Sequence, residues 1–125
     1  MKFFLIAGAV NGLLAVAFGA FGAHLLEGRV ADKYLDTWQT AVQYQMFHSI
    51  GLIAVAILMS SALIGPLSSL SWAGYLMLAG IVIFSGSLYV LSLSGISVLG
   101  AITPIGGLAF IAGWVMLMIA AAKAL

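Results

Sequence analysis

The chain has 125 residues, of which 65% are hydrophobic and 6% are charged, with no cysteine and a formal net charge of +1. Soluble domains carry about 25% charged residues, so these polar side chains are too few to cover a water-exposed surface. Lipid is the expected solvent, because large exposed apolar surfaces make a soluble monomer aggregate. The absence of cysteine excludes disulfides, thiolate metal sites and thiol nucleophiles, and the scattered basic residues form no patch for nucleic acid.

The charged residues fall in three places, which are Lys2, the stretch 27–36, and Lys123. The uncharged interval between Asp36 and Lys123 is far longer than the roughly 20 residues of one spanning helix, so it must turn back on itself. Two segments rich in Ser, Gly or Pro, 60–69 and 92–97, supply the turns. We therefore predict a single membrane domain with four spans, at about 3–26, 39–62, 70–92 and 98–122.

The spans are expected to be helices, because unpaired backbone groups cannot face hydrocarbon and the chain lacks the alternating pattern of a membrane β-barrel. Ahead of the second span, apolar residues recur at helical spacing between Val30 and Trp38. They predict a short interfacial helix between the first two spans, with Tyr34 and Trp38 as anchors at the level of the lipid headgroups. The predicted fold class is an all-α, four-helix membrane bundle.

The orientation of the bundle is weakly specified. The first span has some features of a secretory signal peptide, but its apolar stretch is longer than usual and we interpret it as a permanent span. Four spans place both termini on one side, where Lys2 and Lys123 balance Arg29 and Lys33 on the other side, so dual insertion stays open. The amino-terminal charge beside Lys2 favours cytoplasmic termini.

Small residues follow one face of the first span at alternating steps of four and three residues: Gly8, Gly12, Ala15, Gly19 and Gly22. Small residues let helix backbones approach closely in lipid, which favours association. We expect this stripe to pack against another span of the same chain, with a subunit interface as the alternative. The fourth span carries similar packing residues: Gly106, Gly107 and Gly113.

Pro104 lies near the start of the fourth span, and it lacks a backbone donor. If Thr103 caps the helix and Pro104 takes the first helical position, residues 98–102 form a connector and the remainder still crosses the membrane. The alternative is a kink that opens a cavity.

The second span holds the densest polar cluster, in which Gln45 and His48 lie three residues apart on one helical flank. His48 lies roughly 13 Å inward from Gln39, close to the bilayer centre. Asn11 of the first span should lie level with His48 in an antiparallel hairpin and is its expected partner. We predict a polar intramembrane site formed by these residues: Asn11, Tyr44, Gln45, His48, Ser49, Ser85, Ser87 and Thr103.

This polar site has two interpretations. A neutral imidazole bonded to a neighbouring helix would hold the bundle together, by about 0.6–2 kcal/mol. Alternatively, an ionisable residue inside the membrane marks a path for protons or solutes. Serine in a membrane helix usually bonds its own carbonyl four residues earlier, and no deep acidic residue is available to complete a catalytic triad. We expect no metal and no cofactor, because His24 lies near the membrane surface and His48 near the centre.

Four separated motifs resemble those of domain of unknown function family 423: GAFGAHL at 19–25, AVQYQMFHS at 41–49, FSGSLY at 84–89 and GAITPIGG at 100–107. Gly113 and Trp114 fit the closing pattern of that family. Its members are small bacterial membrane proteins, similar to the eukaryotic transmembrane protein 256. The resemblance covers nearly the whole chain and implies a four-helix membrane protein, but it brings no established activity and no site residue.

The leading functional expectation is a non-enzymatic protein of the bacterial plasma membrane that self-associates or joins a larger membrane complex. The alternative is a small channel or transporter whose ion or solute uses the polar site around His48. An intramembrane enzyme is the third interpretation.

Overall fold

A computed structural model describes all 125 residues and consists of helices and turns without a β-strand. The helices are α1 (Lys2–Leu26), α2 (Asp32–Leu58), α3 (Ser68–Ser94) and α4 (Thr103–Ala124), and a 3₁₀ turn at Ser97–Ala101 precedes α4. Four helical segments are long and apolar enough to cross a membrane, the fourth being α4 together with its 3₁₀ turn. The predicted all-α membrane fold with four helices is confirmed.

The interfacial helix predicted ahead of the second span is continuous with α2, which begins at Asp32 instead of near residue 39. No glycine or proline separates these two positions, so the helix continues from its charged end into the membrane. Asp32 lies in the first turn, where the helix dipole favours a negative side chain. α2 ends at Leu58, whose carbonyl accepts the N–H groups of Ile64 and Gly65.

The short connection between α3 and α4 determines where α4 begins. Gly95 ends α3 in the left-handed conformation, with φ of 70°, and its N–H bonds the Leu91 carbonyl. α4 begins at Thr103 with Pro104 in its first turn, and Thr103 is not the N-cap that we expected. α4 is one helix from Thr103 to Ala124, and Pro104 in its first turn removes no hydrogen bond from the helix interior.

The glycines of the small-residue stripe on α1 face α2 of the same chain: Gly8, Gly12, Gly19 and Gly22. A Cβ added at Gly8 would lie 2.7 Å from Ile53 and 2.9 Å from the Ser49 carbonyl oxygen, so a larger residue would push the helices apart. Ala15, between the glycines, is fully buried. The stripe therefore serves close packing within one chain.

Glycines also bring α3 and α4 together. Gly106 touches the backbone of Phe84, so a Cβ there would clash with main-chain atoms of α3. Gly113 packs tightly against α3 as well, whereas Gly107 makes only a loose contact with the Phe84 ring. Gly80 of α3, which we did not predict as a packing residue, receives a phenyl ring of α4.

α2 and α3 form the centre of the bundle, and α1 and α4 flank them. In the most apolar stretch of α2, 50% of residues are buried, against 17% in α1 and 22% in α4. α1 packs on α2 and α4 packs on α3. The outward faces of α1 and α4 carry large exposed apolar side chains, as expected for surfaces in contact with lipid.

Candidate functional site

A chain of hydrogen bonds crosses the interior of the bundle and joins three helices. The Gln45 amide of α2 donates to Oδ1 of Asn11 on α1 at 3.0 Å. The Gln45 oxygen accepts a hydrogen bond of 2.6 Å from the Tyr89 hydroxyl on α3. Asn11 donates in turn to the Ala7 carbonyl of its own helix at 2.8 Å. Because polar groups in hydrocarbon must find partners within the protein, these bonds hold α1 and α3 in register with Gln45.

His48 belongs to a second polar unit, which joins α2 to α4. His48 is 3% exposed, and its ring lies nearly parallel to that of Phe110 with 3.6 Å between centroids. Trp114 donates its indole N–H to Nε2 of His48 at 3.0 Å, and Nδ1 lies 2.8 Å from the Tyr44 carbonyl oxygen. An indole nitrogen only donates, so Nε2 is the acceptor and the ring proton is assigned to Nδ1. His48 is therefore a neutral imidazole with both nitrogens bonded.

The expected pair of Asn11 and His48 does not form. Gln45 faces α1, and His48, three residues later, faces α4. Three residues turn an α-helix through roughly 300°, which leaves the two side chains about 60° apart around the axis. That difference directs them to different neighbouring helices.

Two serines of α3 make further contacts between helices. The Ser85 hydroxyl donates to the Ala41 carbonyl oxygen of α2 at 2.8 Å, and not to its own helix as expected. Ser87 donates to the Phe84 carbonyl of its own helix, and its hydroxyl lies 2.6 Å from that of Thr103 on α4. Ser85 thus ties α3 to α2, and Ser87 ties α3 to the first turn of α4.

The side chains of the remaining predicted residues, Ser49 and Tyr44, lie outside these networks. Ser49 donates to the Met46 carbonyl oxygen at 2.7 Å and borders Gly12 of α1. Tyr44 is 42% exposed, its ring packs on Phe84 with 4.3 Å between centroids, and its hydroxyl makes no hydrogen bond. The predicted polar residues therefore form several separate units around α2, not one continuous site.

Trp38 is packed inside the bundle and is not a free side chain on its surface, and its level at the lipid headgroups stays a prediction. It is 7% exposed and donates its indole N–H to the Phe18 carbonyl oxygen of α1 at 2.9 Å. Phe18 begins a π-helical turn that ends at Gly22, and Gly22 leaves the space that the indole fills. α1 covers Trp38 because this glycine lets the two helices approach. Tyr34, one turn earlier, is half-buried and stays a predicted anchor.

Trp114 is a hydrogen-bonding partner that we did not predict from the sequence, and Tyr89, which the FSGSLY segment was expected to turn toward the interior, bonds Gln45 unforeseen. Each has an apolar ring with one polar atom, and within a membrane span that atom needs a partner. Trp114 carries an N–H donor on the otherwise apolar fourth span, and His48 offers an acceptor on the second. This complementarity was the available signal for the pair.

Two recesses that share Tyr44 and Phe47 as lining residues open on the outer surface of α2. The first is a groove of about 340 Å³ between α2 and α4, lined by aromatic rings that include Tyr44, Phe84 and Trp114. The second has a volume of about 380 Å³ and is bordered by Gln43, Tyr44 and Phe47. Because their walls are mostly apolar and face outward from the membrane-spanning bundle, both recesses open toward lipid.

A third recess, of about 330 Å³, lies between α1 and α2 at the charged end of the bundle, beside His24, Glu27 and Gln39. His24 and Glu27 approach to 3.9 Å there, but both side chains are exposed, so this contact contributes little to stability. No three His, Asp or Glu side chains lie close enough together to hold a metal ion. The recess is therefore a shallow polar surface.

Comparison with known proteins identifies relatives but no activity. A family model described as "Protein of unknown function (DUF423)" matches residues 18–107. The chain is 58% identical to the UPF0382 membrane protein YwdK of Bacillus subtilis (strain 168), over 98% of both chains. It is 52% identical to the UPF0382 membrane protein SH2409 of Staphylococcus haemolyticus, again over 98% of both chains. No solved structure matches the chain.

Proposed function

We propose that this chain, which belongs to the DUF423 family of proteins of unknown function as its four motifs predict, is a non-enzymatic subunit of a membrane assembly. In this proposal the polar residues hold the bundle in one shape. The lipid-facing surface of that bundle then binds the partner.

The observation that supports this proposal is the pairing of the polar side chains inside the bundle. Among buried side-chain nitrogen and oxygen atoms, only Oγ of Ser69 lacks a hydrogen-bond partner. An ion or substrate inside the bundle would have to displace existing bonds, and an unpaired polar group in hydrocarbon is costly. The interior is therefore suited to holding helices together, which leaves the outer surface for recognition.

A hydrolytic enzyme has little support from this geometry. A catalytic serine needs a histidine base within hydrogen-bond reach, and that base needs an acid to orient it. Ser85 bonds the Ala41 carbonyl instead, and both nitrogens of His48 are already bonded. The acidic residues of the chain lie between Glu27 and Asp36, at the charged end.

The alternative of a channel or transporter also has less support than an assembly role. A path past His48 would have to separate its ring from Phe110, and the adjacent groove is aromatic and faces lipid. Coupled transport commonly uses acidic residues within the membrane, and the spans hold none at depth. Transport would therefore require a rearrangement that exchanges the bonds of His48 for water.

We place the protein in the bacterial plasma membrane with both termini in the cytoplasm. Four spans return the chain to the side on which it began, and the charges beside the amino terminus favour the cytoplasm. Fusion of a fluorescent protein or of alkaline phosphatase to the carboxyl terminus tests this topology. We expect fluorescence without phosphatase activity, and the reverse result would contradict the proposed orientation.

The experiment that tests the proposed function measures particle mass and solute flux. Protein extracted from native membranes in polymer nanodiscs is weighed by native mass spectrometry, and purified protein in liposomes is assayed for ion and solute flux. We expect particles that contain more than one protein chain, and flux equal to that of empty liposomes. Nanodiscs that contain only single chains, at every expression level of the protein in the membrane, would contradict an assembly role. Flux that is lost in His48→Leu would instead support the channel.

A further inference from the structure

Gln43 lies on the exposed surface of the bundle, in the part of α2 that is expected to enter the membrane. Gln43 is exposed, and its side chain takes part in no hydrogen bond of the chain, unlike that of Gln45 two residues later. Gln43 lies seven residues beyond Asp36, the last charged residue of α2, which corresponds to about 10 Å along the helix. Within hydrocarbon a carboxamide has no water to bond, and leaving it unpaired there is costly.

The surroundings of Gln43 form a defined surface, which we call the Gln43 face and which consists of Gln43, Tyr44 and Phe47. Phe47, one turn after Gln43, is 59% exposed, and the Tyr44 hydroxyl is unbonded like the Gln43 amide. These residues border the recess of about 380 Å³, and Tyr44 and Phe47 also line the groove beside α4. The face therefore combines an apolar recess with two exposed polar groups that no other part of the chain bonds.

We propose that the Gln43 face is the interface of a symmetric homodimer, in which the Gln43 amides of two copies bond each other. This inference rests on the proposed function, since it names the partner as a second copy of the same chain. A carboxamide has both N–H donors and an oxygen acceptor, so it is complementary to itself. In a two-fold symmetric interface, a residue near the axis faces its own counterpart. Hydrogen bonds between amides also drive association of helices in lipid.

The pairing requires that both copies have the same orientation in the membrane. Gln43 lies 11 residues after the first residue of α2 and 15 before the last, so it is off the centre of the helix. Antiparallel copies with their helix centres aligned would bring Gln43 level with Phe47 of the other copy. A two-fold axis along the membrane normal instead places both Gln43 residues at one depth.

A lipid acyl chain or a different protein is the alternative occupant of the face. An acyl chain fits the apolar recess but offers no hydrogen bond to the Gln43 amide. A different protein would have to present a polar group at the same depth, whereas a second copy of this chain always does. The self-complementary amide therefore favours the homodimer.

Disulfide cross-linking tests the dimer directly, because the natural chain has no cysteine. The Gln43→Cys variant is oxidised in native membranes. Two control variants, Leu13→Cys on α1 and Val82→Cys on α3, are oxidised separately in the same way, and both positions are exposed and near the middle of their helices. We expect several-fold more disulfide-linked dimer for Gln43→Cys than for either control. Equal yields for the three variants would overturn the proposal. When Gln43→Cys and Phe47→Cys chains are expressed together, more linkage between the two variants than between two Gln43→Cys chains would overturn it as well.

A second measurement follows the dimer by energy transfer between labelled chains as they are diluted in liposomes. Gln43→Leu should weaken dimerisation by about threefold to thirtyfold, and Gln43→Asn, which keeps an amide, by less. Unchanged dimerisation of Gln43→Leu would contradict the proposal. If native nanodiscs hold assemblies but Gln43→Cys links no better than the controls, the homodimer fails and the proposed function stands. Single chains in both experiments would contradict both.

Discussion

Trp114 and His48 are 66 residues apart in the chain, yet the indole N–H of Trp114 bonds Nε2 of His48 at 3.0 Å. The two groups are complementary, because the indole only donates and the neutral imidazole offers an acceptor at this nitrogen. A histidine at the centre of an uncharged span is commonly taken as a sign of chemistry. Here the same histidine joins two helices.

Trp114→Phe should destabilise the bundle, because it leaves Nε2 of His48 without a donor while keeping an aromatic ring at position 114. We expect the free energy of unfolding to fall by about 1–2 kcal/mol. Denaturant unfolding in detergent micelles, followed by circular dichroism, measures the change. Trp72→Phe is the matched control, since Trp72 is exposed and its N–H is unbonded. Equal losses in the two variants would contradict a stabilising Trp114–His48 bond.

Gln45→Leu should be more damaging, because Gln45 bonds two other helices through Asn11 and Tyr89. Its loss leaves Oδ1 of Asn11 without a donor and the Tyr89 hydroxyl without an acceptor, and we expect the free energy of unfolding to fall by about 2–3 kcal/mol. The matched control is Gln43→Leu, which makes the same change two residues away on the lipid-facing side. At dilutions where the protein is monomeric, Gln43→Leu should leave stability unchanged. A similar loss in both variants would count against the interior network.

Gly8→Ala tests the close contact between α1 and α2. The added Cβ would lie 2.7 Å from Ile53 and 2.9 Å from a backbone oxygen, so the helices must separate, at a cost of about 1–3 kcal/mol. Gly86→Ala is the control, because a Cβ there meets nothing within 4 Å. The control should raise stability by up to about 1 kcal/mol through better helix propensity. Thermal unfolding of both variants in the same detergent measures the two changes in stability. Equal changes for Gly8→Ala and Gly86→Ala would contradict the close contact between α1 and α2 at Gly8.

Fluorescence quenching tests the position of Trp38. In variants that retain a single tryptophan, we expect Trp38 to be shielded from aqueous acrylamide and from lipids with brominated acyl chains, because α1 covers it. Trp72, which is exposed, should be quenched in the same bilayers. Strong quenching of Trp38 by acrylamide would instead place its ring at the membrane surface.

The architecture could be predicted because the solvent imposes it. An interval without charges from Asp36 to Lys123, broken by two clusters of turn-forming residues, admits few solutions other than three more helices. The stripe that begins at Gly8 likewise predicts close packing, since small residues in lipid have few other uses. The start of α2 was misplaced because the charged segment at Asp32 has helical spacing of its own and merges with the span.

The partners of the polar residues could not be predicted from spacing alone. Gln45 and His48 lie on the same side of α2, but the helix that each side chain meets depends on how the helices are rotated about their axes. Ser85 bonds α2 within a π-helical part of α3 that no pattern in the sequence marks. The ring of Trp38 suits a membrane interface and a buried contact equally well, and only the approach of α1 decides between them.

Solid-state NMR of protein with ¹⁵N-labelled histidine in hydrated bilayers tests most directly whether the polar interior is paired and dry. The chain has two histidines, and His24→Gln leaves the signals of His48 alone. We expect a neutral ring with its proton on Nδ1, an unprotonated Nε2 in contact with the Trp114 N–H, and no magnetisation transfer from water. A proton on Nε2, a charged ring or rapid transfer from water would show that His48 is open to solvent and contradict the structural role.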